Sequence, residues 1–281
     1  MMLTLDSLKI DSKKVTESIC EFTKEFIRKA GAKGVVIGIS GGVDSSTTAA
    51  LMVRALGRNN VLGLLLPEEG VTPKEDLDDA RELVNLLGIR WEEIEISTIV
   101  KRYLDLLPKA KDVLAEGNLK PRIRMTILYY YANSLNYLVA GSGDRSELLI
   151  GYFTKYGDGG VDFLPIGRLF KTQVRQLGLY LGIPEKIARK PSSPRLWKGH
   201  LAERELGISY EEIDLILHAL FDLNLSAMEA SKQTGLSKDK VLMVLRMYER
   251  SQHKREMPPL APISLEQEGG KQDDRRNIRH P

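Results

Sequence analysis

Residues 38–46 read GISGGVDSS and follow the apolar run Val35-Val36-Ile37. Adjacent glycines such as Gly41 and Gly42 let a chain turn with positive φ and bring its amides close to a ligand. Ser40, Ser45 and Ser46 add short hydroxyl donors. Where such a loop joins a buried strand to a helix, its N–H groups and the helix N-terminus surround an anion. Asp44 narrows the chemistry, because a carboxylate facing a polyphosphate repels it unless a divalent cation lies between them. Tight packing on a sheet, with Asp44 as a helix cap, would explain the two glycines alone. The three serines and the carboxylate beside them favour the anion-binding reading over that one. The run lacks the Gly-Lys-Ser/Thr of a Walker loop and the Gly-x-Gly-x-x-Gly of a dinucleotide fingerprint.

The elements around this loop read as alternating strands and helices. Val15, Ile19, Phe22, Phe26 and Ala30 recur at helical spacing up to Gly31. Apolar runs at 34–39, 61–67 and 137–142, and the alternating WEEIEI at 91–96, predict four strands. Helices are expected from Val43 to Gly57, from a Thr72-Pro73-Lys74-Glu75 capping box to Gly88, and over about 121–136. This pattern predicts an α/β fold: a doubly wound, mainly parallel sheet with helices on both faces. Residues 151–170 have no clean period and read as a long functional loop. Helices follow at about 171–181, 209–221, 226–232 and 237–252. One domain over 1–258 and a polar, disordered tail over 259–281 are expected.

Composition excludes several classes. The chain has 281 residues, 42% hydrophobic and 28% charged, as in globular proteins. A formal charge of +3, with bases and acids interleaved, argues against a nucleic-acid partner. No apolar run approaches the roughly 20 residues of a membrane span, and the N-terminus carries no signal peptide, so a cytoplasmic protein without membrane contact is expected. Cys20 is the only cysteine and falls on the apolar stripe of the first helix, as a buried thiol would.

Ser40-Gly41-Gly42-Val43-Asp44-Ser45 resembles the signature of the pyrophosphate-loop ATPases, which cleave ATP to AMP and pyrophosphate. The segment 141–174, centred on GYFTKYGDGG, resembles the NAD synthetase family within that group. So do GNLKPRIRMTILYYYAN (117–133), KPSSPRLW (190–197), ELGISYEEID (205–214) and SQHKR (251–255), in that order. The resemblance spans roughly residues 12–258. It implies an adenine nucleotide alpha hydrolase-like fold and ATP contacts from Gly38, Ile39, Ser40, Gly41, Gly42, Val43, Asp44, Ser45, Ser142, Lys171 and Ser192. It implies Mg²⁺ on Asp44 and Glu147, with Asp44 and Lys171 as catalytic groups. Contacts to deamido-NAD⁺ fall to Arg122, Lys155, Asp158, Asp162, His253 and Lys254, with Phe153 and Tyr156 able to stack on its pyridine ring. A homodimer is implied, with the His253-Lys254 pair at the dimer-related site.

The implied reaction is adenylation of the nicotinate carboxylate of deamido-NAD⁺, then attack by ammonia. No activated cysteine or glutaminase segment is legible, so ammonia is expected to arrive free or from a separate glutaminase. The chain departs from the family at Ser193-Pro194-Arg195, at His200-Leu201-Ala202, at Leu65 where bacterial members often carry arginine, and at Pro121. Two other readings compete. One is a tRNA-modifying or GMP synthetase-like ATPase. The other is a helix-turn-helix DNA-binding protein, because 226–255 scans like that motif, although Val241, Val244 and Leu245 give its second helix a core face.

Overall fold

A computed structural model describes residues 2–263. The expected disorder of the tail lies, from residue 264 onward, outside the described residues. The first half alternates: α1 (Ser12–Lys29), β1 (Val35–Gly38), α2 (Val43–Leu56), β2 (Val61–Leu65), α3 (Lys74–Leu87) and β3 (Arg90–Glu93). Then come α4 (Ser97–Leu106), α5 (Val113–Gly117), α6 (Leu119–Leu135), β4 (Leu138–Val139) and α7 (Arg145–Ile150). Beyond the loop follow α8 (Lys171–Tyr180), α9 (Glu185–Ala188), α10 (Ala202–Leu206), α11 (Tyr210–Leu217), α12 (Ala227–Thr234), α13 (Lys238–Arg250) and α14 (Gln252–Arg255).

The four strands pair in parallel in the order β3-β2-β1-β4. Side chains alternate across a strand, so each face gathers its own core. Val35, Ile37, Val61 and Leu65 pack with α2 and α8. Val36, Leu62, Leu64 and Val139 pack with residues of α4 and α6 on the opposite face. A third core joins Ile150 and Phe170 to Tyr210, Ile213, Ile216, Leu217, Val241 and Val244. That core occupies the apolar face of α13, so the face a DNA-reading helix would stand on is packed inside the protein.

Several local expectations need correction. Thr72 does not cap α3: Pro73 holds the N-cap position, and the Thr72 hydroxyl accepts from the Glu68 amide at 2.9 Å. The proline lacks a side-chain acceptor, and the threonine is spent on closing the turn before it. The third and fourth strands are shorter than their apolar patterns; β4 continues only as an isolated bridge between Ala140 and Phe163. Phe22 is half exposed, stacked on Phe26 and tilted against Phe163. Cys20 is buried, as expected. The short helices α5, α7, α9 and α10 have too few turns to show a period in the sequence.

Gly41 fixes where the glycine loop meets α3. Its φ is +77°, and a Cβ there would lie 2.1 Å from the Asp76 carbonyl oxygen. Gly57 has φ +80° but open space around it. Gly57→Ala is therefore expected to cost only its backbone, which at ψ 150° lies in a region favoured by glycine alone, about 1–3 kcal/mol. Gly41→Ala adds a backbone collision and is expected to cost about 3 kcal/mol or more. Denaturant unfolding of both variants checks the order, and equal losses would contradict it.

Candidate active site

β1 has β2 on one side and β4 on the other, so chain connections diverge between β1 and β4. In open parallel sheets ligands bind at the carboxyl ends of strands at such a divergence. The loop Gly38–Gly42 leaves β1 there, and Gly141–Asp144 leaves β4 beside it. A single cleft is lined by Gly38, Ile39, Ser40, Asp44, Ser45, Ser142, Glu147, Asp158 and Ser192, which unites residues from four sequence segments. Gly41, Gly42 and Val43 form the turn into α2. The serines partly brace that turn themselves: Ser46 donates to the Gly42 carbonyl at 2.7 Å, and Ser45 lies 3.1 Å from Ser40 between hydroxyl oxygens.

At the centre stands Lys171, the first residue of α8, with a fully buried side chain. Its Nζ lies 2.6 Å from Asp44 Oδ2, 2.8 Å from Glu147 Oε1 and 3.0 Å from Asp144 Oδ2. Asp44 is in the first turn of α2 and Glu147 in that of α7. Asp144 caps α7 by accepting the Glu147 amide at 2.8 Å. The N-termini of α2, α7 and α8 therefore converge, and their dipoles favour negative charge at this spot.

Burial pushes the Asp144 carboxyl up to about 6 against the pull of Lys171, and it raises Glu147 well above the usual carboxylate range. Burial would lower Lys171, but Asp144, Asp44 and Glu147 override it and hold the amine well above its ordinary value. Lys171 is thus a permanent ammonium.

The same carboxylates suit a hard divalent cation. Asp44, Asp144 and Glu147 offer oxygens within 4.8 Å of one another, and Asp44 Oδ1 is buried with no hydrogen-bond partner among the described residues. Oxygen donors beside bound phosphates are what Mg²⁺ prefers. Sequence reasoning found Asp44, Glu147 and Lys171 but missed Asp144, although its spacing to Glu147 is that of a capping box.

The cleft wall opposite the glycine loop is the segment 190–201. Ser192 Oγ is buried there with no hydrogen-bond partner among the described residues, so a donor or acceptor stands ready in the cleft. Arg195 has φ +51° and is held by Asp76 at 2.7 Å, to which Lys190 also binds at 3.0 Å. His200 stacks on Trp197 with centroids 3.6 Å apart and lies 2.7 Å from Glu205. Tyr152, from the other side of the cleft, donates to Glu205 at 2.5 Å. The departures at 194–202 thus build their own ion pair and stack. Leu65 is packed in the core on the α2 side of the sheet and brings no charge to the cleft.

The residues expected to hold a dinucleotide gather around the loop 151–163, apart from the phosphate end. The Arg122 guanidinium donates twice to the Lys155 carbonyl, both at 3.3 Å, and Lys155 Nζ donates to the His253 carbonyl at 2.6 Å. Lys254 donates to the carbonyls of Gly151 and Phe153 at 2.8 and 2.7 Å and lies over the Phe153 ring. His253 and Lys254 thus dock on the loop of their own chain. Asp158 is buried at the junction of the two regions and accepts the Thr154 amide at 2.8 Å. Asp162 has both oxygens engaged, by the Val139 amide and the Tyr129 hydroxyl.

Removing the ammonium would leave three carboxylates facing one another. Lys171→Met is expected to lose about 3–5 kcal/mol, or roughly 10 °C of melting temperature. Asp144 has its folded pKa, about 6, above the ordinary value, so the stability it contributes is present at low pH and lost as pH rises through that value. Without the pull of Lys171 that carboxyl rises further, so the deficit against the unsubstituted protein should be smaller at pH 5 than at pH 8, and Mg²⁺ should recover part of it at pH 8. Thermal melts at both pH values, with and without Mg²⁺, decide; a constant deficit indifferent to Mg²⁺ would contradict the cluster's electrostatics.

The NAD synthase family profile matches residues 15–258. The NH(3)-dependent NAD(+) synthetase of Hyperthermus butylicus is 59% identical over 260 residues, covering 92% of this chain and 94% of the relative. Among solved structures, the NMN synthetase of Francisella tularensis superposes with a TM-score of 0.80 at 33% identity, covering 90% of this chain and 99% of that one. The NH3-dependent NAD synthetase of Campylobacter jejuni, solved with a nitrate ion, gives 0.77 at 32% identity, covering 90% and 100%. A cleft that joins a pyrophosphate loop to the 151–163 loop, and a profile match over most of its length, place this chain in the NAD synthase family.

Proposed function

We infer that the chain catalyses ATP-dependent amidation of deamido-NAD⁺ by ammonia, releasing AMP and pyrophosphate. One observation carries the reading: Asp44 and Glu147, both ion-paired to Lys171, line one cleft with the glycine loop and with Asp158 of the loop that holds Arg122, Lys155 and Lys254 near it. A nicotinate carboxylate cannot be amidated directly, because oxide is its leaving group. Its oxygen attacks the α-phosphorus of ATP, an O–P bond forms, and the bridging P–O bond to pyrophosphate breaks. Ammonia then attacks the activated carbonyl, a C–N bond forms, AMP leaves and a proton is lost.

This chain's share is positioning and charge neutralisation. The amides of Gly41 to Ser45, the hydroxyls of Ser142 and Ser192, and the Lys171 ammonium hold the polyphosphate. Asp44, Glu147 and the added Asp144 would hold Mg²⁺, which when bound neutralises phosphate charge. Arg122, Lys155, Asp158, Asp162, His253 and Lys254 hold the dinucleotide, with Phe153 and Tyr156 against its ring. Cys20 lies buried beside the Leu51 carbonyl, and burial raises its thiol, so it is no glutaminase nucleophile. Ammonia is taken free or from a separate protein. No described helix is long and apolar enough to cross a membrane, and we place the reaction in the cytoplasm, where ATP is made available.

A second copy of the chain completes the proposal. Tyr103 and Leu106 of α4, Leu107, Val113 and Leu114 around α5, and Tyr130 of α6 are exposed, Leu106 and Tyr130 by about 70%. Contiguous exposed apolar side chains mark interaction surfaces, and a self-complementary patch favours a two-fold homodimer.

Incubation with deamido-NAD⁺, ATP, Mg²⁺ and ammonium should yield NAD⁺, AMP and pyrophosphate in equal amounts. At fixed total ammonia the rate should climb from pH 7 to 9, because NH₃ is the nucleophile. Release of ADP and phosphate would sink the mechanism, and preference for nicotinate mononucleotide over deamido-NAD⁺ would change the acceptor. Light scattering should give twice the chain mass, falling to a monomer on Leu106→Glu with Tyr130→Glu; a monomer without those changes would refute the interface.

A further inference from the structure

Lys171 stands at the first position of α8, where Gln173 accepts the Phe170 amide at 2.9 Å but no side chain of α8 receives the amides of Lys171 and Thr172. The residue before it is Phe170, whose side chain accepts no hydrogen bond. The first amides of a helix have no partners within it and need acceptors from elsewhere. Here they come from two other elements. The Lys171 amide donates to Ser146 Oγ of α7 at 2.9 Å, and the Thr172 amide donates to Asp214 Oδ2 of α11 at 2.8 Å. Ser146 in turn donates to Asp214 Oδ1 at 2.5 Å. Ser146 and Asp214 are completely buried, so water cannot substitute for either.

Asp214 therefore holds two helix starts at once: that of α8, which carries Lys171, and the first turn of α7, which carries Glu147. Its neighbour one turn earlier on α11, Tyr210, is also fully buried and lies under the ammonium, with Lys171 Nζ 4.9 Å from the ring centroid. Positions four apart on a helix share a face. One face of α11 thus supplies a cap for the backbone of Lys171 and an aromatic floor for its side chain. Asp214 itself is far enough from the cleft that it lines none of it.

We propose that Asp214 is a positioning residue for phosphate transfer, acting through Lys171 by capping α8 from outside the helix. The proposal rests on the reading of Lys171 as a phosphate-binding group. It assigns work to the segment ELGISYEEID, none of whose residues lines the cleft. It also explains why a C-terminal helical layer is fused to the nucleotide-binding sheet: the layer sets the direction of the central ammonium.

The experiment is a double-mutant cycle on kcat with deamido-NAD⁺, ATP, Mg²⁺ and ammonia. Asp214→Ala should lower kcat at least ten-fold while KM for deamido-NAD⁺ stays within about two-fold. Asp214→Asn keeps an acceptor for the Thr172 amide and should lose less than the alanine variant. In a Lys171→Ala background, changing Asp214 should lower the residual kcat by less than two-fold, because the group it orients is already gone. A ten-fold further loss in that background would mean a general structural role and overturn the proposal. So would unchanged kcat in a folded Asp214→Ala. If the alanine variant does not fold, the asparagine variant is carried through the same cycle with the same criterion. An unsubstituted protein without turnover would instead refute the proposed function, which keeps the two failures distinct.

Discussion

A buried ammonium can exist only where anions surround it closely enough to replace water. Lys171 meets that condition with three carboxylates within 3.0 Å. Every large feature of the fold serves the meeting. Asp44 arrives on the loop after β1, Asp144 and Glu147 on the segment after β4, and Lys171 at the far end of the long loop. Parallel strands make this possible, because they present all their carboxyl ends on one edge. The three helix starts that follow add positive dipoles around the carboxylates. The same three carboxylates that stabilise the lysine bring their oxygens within 4.8 Å of one another.

Around this centre the rest of the protein divides its work. The sheet and its two covering layers fix the strand edge to which the nucleotide loop is attached. The C-terminal layer caps α8 and supports the side chain of Lys171 through Tyr210 and Asp214. The loop 151–163 is fastened by hydrogen bonds, from the Thr154 amide to Asp158 and from Lys254 to the carbonyls of Gly151 and Phe153. It is therefore an ordered wall despite lacking regular structure. The 190–201 segment closes the cleft through the Asp76 ion pairs and the stack of His200 on Trp197. Arg195 keeps a left-handed backbone there because both its guanidinium and its amide are held.

Much of this was legible residue by residue. Small side chains at 38–46 could only mean close approach of backbone, and Asp44 among them implied a cation. Strands β1 and β2 were legible because both their faces are buried, which leaves an unbroken apolar run. β4 was overestimated because the apolar residues after Val139 are buried by the loop and not by a neighbouring strand. Thr72 misled for a related reason: a capping pattern names residues that can cap, while the turn decides which amide they meet. Asp144 was missed because its capping of α7 is legible in one dimension while its approach to Lys171 is not.

The sequence by itself determined the loop chemistry, the alternation of strands and helices and, through ordered segments, the family. These depend on local spacing and side-chain type, which survive without coordinates. Tertiary structure alone decided that Lys171 is buried, that Asp144 joins its partners, and that Asp214 and Tyr210 of a distant helix hold it in place. Those contacts span 24 to 127 residues of chain for the hydrogen-bonded pairs around Lys171. Burial and charge pairing at that range are properties of where the strand ends and helix starts converge, and no local pattern records it.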